Sequence, residues 1–154
     1  MNSSTDWSLV SGFNTEGTVI RKDLDLLVSG KMDDEEISEL LTEFVRDGDI
    51  SSSAIPSFKY LMLEHTKLSP ESRLNCLYTA CLILGHAQKR QTALILPEEH
   101  TFESLRNQTL RKLFYEAFNH DLSIDWMVSI AAVILLLQND ELSYKSLVRN
   151  WRLI

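Results

Sequence analysis

With 154 residues, 44 % of them hydrophobic, the chain is long enough for one domain with a substantial core and too short for two of ordinary size. Five glycines and three prolines supply few of the tight turns that a sandwich or barrel needs, so the composition favours helices. The formal net charge of −7 argues against nucleic acid as a partner, because affinity for it comes largely from neutralising phosphates.

The excess negative charge is confined to residues 1–60, which carry 12 acidic and 5 basic side chains against 10 of each in residues 61–154. Residues 1–19 show no sustained periodicity and are rich in Ser, Thr and Asn, the pattern of an arm that is either flexible or docked. Trp7, Leu9, Val10 and Phe13 favour docking, on the chain's own domain or on a partner, over four large apolar side chains left in water. No basic segment followed by an apolar one opens the chain, so no secretory signal is read and a cytoplasmic protein is expected.

Residues 20–154 read as a single helical domain. A short helix is expected from Lys22 to Val28, stopped by Gly30. In "DDEEISELLTEFVRDGD", Ile37, Leu40, Leu41, Phe44 and Val45 share one helical stripe, Asp33 and Glu36 stand at the N-cap and N3 positions of a capping box, and Gly48 closes the helix. The next helix carries Pro56 in its first turn and Ile55, Phe58 and Met62 on one face. "LSPESRLNCLYTACLILGHAQ" opens with Ser69 as N-cap and Pro70 at the first helical position, and from Leu74 to Leu84 it is apolar on nearly every face. Residues 89–97 read as a connector. Beyond it, Phe102, Leu105, Leu110, Leu113, Phe114, Ala117 and Phe118 mark a further stripe.

"SIDWMVSIAAVILLLQND" holds the longest apolar run, from Trp126 to Leu137, and it falls short of the roughly 20 residues that a membrane-spanning helix requires. Ser123 as N-cap, Asp125 in the first turn and Gln138, Asn139 and Asp140 at the end are the edges of a helix packed inside protein. The last helix places Tyr144, Leu147, Val148 and Trp151 at i, i+3, i+4 and i+7. The expected architecture is all-α: a compact bundle of six to seven helices, with the helices around Leu74–Leu84 and Trp126–Leu137 buried at its centre.

The motifs of common chemistries are missing. No two of His65, His86, His100 and His120 stand three or four apart, none has a Glu three residues before it, and the serine-elbow, dinucleotide and P-loop patterns are absent. Cys76 and Cys81, five apart in one helix, point about 140° apart and cannot bridge each other there. They read as small buried hydrophobes. Glu98, Glu99, His100 and Glu103 behind Pro97 read as the acidic decoration of a helix start rather than a metal set. No catalytic residue, metal or cofactor is therefore assigned, and a non-enzymatic role is expected.

Three surface features are left as candidates for partner binding. Glu36, Glu39 and Glu43 belong to an acidic helix face suited to a basic partner. Arg106, Arg111 and Lys112, with Lys89 and Arg90, form a local basic group, and Trp151 and Ile154 mark a C-terminal segment that a groove could capture. The function expected is that of a protein–protein interaction domain of regulatory, adaptor, immunity or viral accessory type, binding another protein or a second copy of itself as a homodimer. The alternatives are an apolar-ligand-binding bundle with a cavity between its central helices, and a nucleic-acid-associated protein using the basic group. An enzyme with scattered catalytic residues is a further alternative.

Overall fold

The computed structural model describes residues 5–89 and 102–152. The connector after Lys89, the Glu98, Glu99 and His100 group, Arg90 and Ile154 lie outside the described residues. Among the described ones there are seven α-helices and a single two-stranded hairpin.

The N-terminal arm is docked over its described length. A 3-10 turn at Trp7–Leu9, capped by the Asp6 carboxylate, leads into α1 (Gly17–Val28). This helix begins five residues ahead of the expected Lys22, because Gly17 donates its N–H to Val10 O and lies flat against the turn. A Cβ at residue 17 would stand 2.2 Å from Trp7 O, so only glycine fits. Ile20, Leu24 and Leu27, at i, i+4 and i+7, bury the inner face of α1.

The capping box forms as the sequence predicts at the start of α2 (Asp34–Thr42): Asp33 Oδ1 accepts from Glu36 N–H at 2.8 Å, and Glu36 Oε2 accepts from Asp33 N–H at 2.9 Å. The end of the helix differs from expectation. It stops at Thr42, and Val45–Arg46 (β1) pairs antiparallel with Asp49–Ile50 (β2). Asp47 (φ 50°) and Gly48 (φ 80°) both take the left-handed conformation that a two-residue hairpin turn demands, so Gly48 turns a hairpin rather than closing a helix. The Asp-Gly pair carried that signal, masked by a helical stripe running on through Phe44 and Val45.

α3 (Ala54–Glu64) buries Ala54, Ser57, Phe58 and Leu61 and ends in a 3-10 turn at His65–Lys67. In α4 (Pro70–Lys89), Ser69 Oγ accepts from Ser72 N–H at 3.4 Å. Leu74, Leu77, Ala80, Cys81, Leu84 and Ala87 are buried, and so are Cys76, Thr79, Ile83 and His86 on the other faces. α4 therefore runs through the centre, in contact with α3, with the hairpin, with α5 (Phe102–Phe118) and with α6 (Ile124–Leu137). α6 is the second central helix and packs between α4 and α7 (Glu141–Arg152). Its deep half holds Ile130, Val133, Leu136 and Leu137, while its first turns emerge at the surface. Ser123 caps it as expected, accepting from Trp126 N–H at 3.2 Å. No helix of the described residues is long and apolar enough to cross a membrane.

Candidate functional site

The acidic candidates separate once their contacts are known. Glu36 serves the capping box, and Glu39 stands exposed on α2. Glu43 is buried, 9 % exposed, and is not part of an open acidic face. Its Oε2 accepts from the Asn14 backbone N–H at 2.7 Å, and its Oε1 lies 3.9 Å from Arg46, whose guanidinium covers the Phe13 ring at 5.0 Å. Glu43 therefore fastens the arm to the start of the hairpin. The outer acidic surface is concentrated enough that burial first, and then the Glu36 charge, push the Asp23 carboxyl above its usual range.

The basic group is divided as well. Arg106 lies 3.9 Å from Glu103, one turn earlier on α5. Arg111 and Lys112 line a cleft of about 390 Å³ between α5 and the start of α4. Arg73 and Leu77 come from α4, His65 and Thr66 from the turn behind α3, and Tyr115 and Glu116 from α5. Glu116 is buried within a run of apolar neighbours, with its Oε1 3.3 Å from Arg73 Nε and its Oε2 3.9 Å from His120 Nε2. His65 Nδ1 sits 2.9 Å from Met62 O. A carbonyl only accepts, so this nitrogen carries the proton and the ring is held at the cleft wall. Burial alone draws the Lys112 ammonium below its usual range. Arg73, His65 and Glu116 were missed from sequence. The legible sign was a carboxylate inside "LFYEAF", at i+3 from the core residue Leu113.

A second depression, of about 360 Å³, runs between α2 and α6 over α4. Trp126 meets Tyr78 edge to face there, with centroids 5.5 Å apart and planes at 88°. The two aromatic rings and Leu82 supply an apolar floor beneath Ser38 and Thr42.

The most exposed apolar surface lies at the α5–α6 corner, where a stripe read as core turns outward. The buried face of α5 is Thr109, Leu113, Glu116 and Ala117, and Phe118, about 100° around the helix from Ala117, is 88 % exposed. Tyr115 is 71 %, Ile124 66 % and Met127 54 % exposed, and Phe114 is also open. Of the ten large hydrophobics exposed among the described residues, these five fall between residues 114 and 127. Tyr115 and Phe118 are one turn apart at the end of α5, and Ile124 and Met127 one turn apart at the start of α6. The four therefore flank a single interhelical turn.

No protein family matches this chain, and neither do the curated proteins or the solved structures. Among the described residues, no group of three or more His, Cys, Asp or Glu side chains is arranged to hold a metal. Cys76 and Cys81 are free and buried, and burial pushes both thiols up to about 12. α7 is described through Arg152, and the side chain of Trp151 lies outside what is described.

Proposed function

We propose that this chain is a protein-binding domain that presents the α5–α6 corner to its partner. The observation that carries this reading is the exposure of Tyr115, Phe118, Ile124 and Met127 on the two helix ends that flank one turn. Scattered exposed apolar residues are ordinary on any protein, whereas aromatic and aliphatic side chains gathered at one place are the usual anchors of an interface. Burying Phe118 or Ile124 in a complex would contribute roughly 1.5–3 kcal/mol each. The acidic outer face of α2, with Glu36 and Glu39, would favour a basic partner at long range and affect chiefly the rate of encounter. Arg106, Arg111 and Lys112 on α5 carry the opposite sign, which also makes a second copy of the chain an admissible partner.

Photo-cross-linking in cells tests this reading. A benzoylphenylalanine placed at Phe118, and separately at Ile124, is expected to yield the same discrete protein adduct. The same probe at Leu63, which is equally exposed but isolated on α3, is expected to yield none. Absence of an adduct at 118 and 124, or the same diffuse labelling at all three positions, would contradict the proposal.

A further inference from the structure

We infer that the cleft between α4 and α5 is a binding site for a small organic phosphate, with Arg111 and Lys112 holding the oxyanion and Tyr115 and Leu77 flanking the organic part. The inference rests on the cleft's own charge and shape, and it shares only Tyr115 with the corner proposed to engage a protein. Arg73, Arg111 and Lys112 line it against one carboxylate, Glu116, in a chain whose net charge is −7. Glu116 is already committed to Arg73 at 3.3 Å and stands 3.9 Å from His120.

Among the described residues, Arg111 and Lys112 form no ion pair, and the one carboxylate in the cleft lining, Glu116, is paired with Arg73. A phosphate monoester carries close to two negative charges near neutral pH and has three acceptor oxygens, which suits one forked and one point-like donor. Arg73 strengthens the case from behind. Its Nε is buried and, although it lies near the Glu116 carboxylate, it makes no hydrogen bond there. The Arg73 guanidinium is therefore only partly satisfied. Burial lowers the Lys112 pKa, and a bound anion would reverse that shift by favouring the charged form. A volume of about 390 Å³ exceeds what a bare phosphate fills and lies at the small end of organic ligand sites. Tyr115, 71 % exposed at the rim, offers a ring face for a planar body.

The test titrates the full chain with phenyl phosphate and, separately, with inorganic phosphate by calorimetry in low-salt buffer, up to about 10 mM, which is tenfold above a millimolar affinity. Phenyl phosphate is expected to bind one to one, and the Arg111→Ala/Lys112→Ala variant to bind about tenfold or more weakly at an unchanged melting temperature. The charge-preserving Arg111→Lys/Lys112→Arg variant is expected to retain most of the affinity, which a merely structural effect would not reproduce. Phenyl phosphate is expected to bind more tightly than inorganic phosphate, and equal affinities would overturn the assignment of Tyr115 and Leu77 to an organic body. No binding of either probe, or undiminished binding by the double-alanine variant, would overturn the inference.

Discussion

At the scale of single residues, burial separates side chains that look alike in the sequence. Glu39 and Glu43 are one turn apart on the same acidic stretch, yet only Glu43 is enclosed and bonded to the arm. Glu43→Ala is expected to lower the unfolding free energy by roughly 1.5–3 kcal/mol, because a charge-assisted, partly buried bond to the Asn14 backbone N–H is lost. Glu39→Ala should stay within about 0.5 kcal/mol. Urea titration of the two variants checks both values. The thiols of Cys76 and Cys81 give a pH dependence. Their folded values are raised from 9.0 to about 12, so the stability linked to their neutral form is fully present below pH 9 and is lost as pH rises towards 12. A stability profile that falls in that alkaline window, and falls less in the Cys76→Ala/Cys81→Ala variant, is the expected result. Native-state thiol labelling at neutral pH should also be slow and become fast in denaturant.

At the scale of elements, helices signalled by capping chemistry were legible. The Asp33–Glu36 box, Ser69 with Pro70, and Ser123 each mark a helix start by local hydrogen bonding that sequence spacing alone dictates. Elements shaped by tertiary contact were not. α1 begins at Gly17 because of two carbonyls from the preceding turn, contacts that become neighbours only after folding. The Asp47–Gly48 hairpin was overlooked because Phe44 and Val45 satisfy a helical period while serving as a buried plug and a strand. Gly48→Val should destabilise the domain by at least about 1 kcal/mol, since a β-branched residue resists φ of 80°. Gly17→Ala should be more damaging, as its methyl group meets backbone rather than a yielding side-chain end. Thermal melts of the two variants rank them.

For the whole molecule, α4 and the deep half of α6 take the centre and the other helices surround them, a layout that the apolar runs from Leu74 to Leu84 and from Trp126 to Leu137 made legible. The candidate sites were less so. Arg111 and Lys112 were visible as charges, but their cleft needs Arg73 and His65, more than 35 residues away in the chain, and no local pattern links them. The corner was misread as core because Phe114 and Phe118 continue a plausible stripe, whereas α5 rolls its Thr109–Leu113–Glu116 face inward to meet α4. The central claim, that these side chains stand on the surface and not in the core, is tested most directly by the unfolding free energy of Phe118→Asp/Ile124→Asp, with Leu113→Ala as reference. The double variant should remain within about 1 kcal/mol of the parent, as expected for surface positions, while Leu113→Ala loses roughly 2–5 kcal/mol. A loss in the double variant as large as that in Leu113→Ala would place Phe118 and Ile124 in the core and contradict the account.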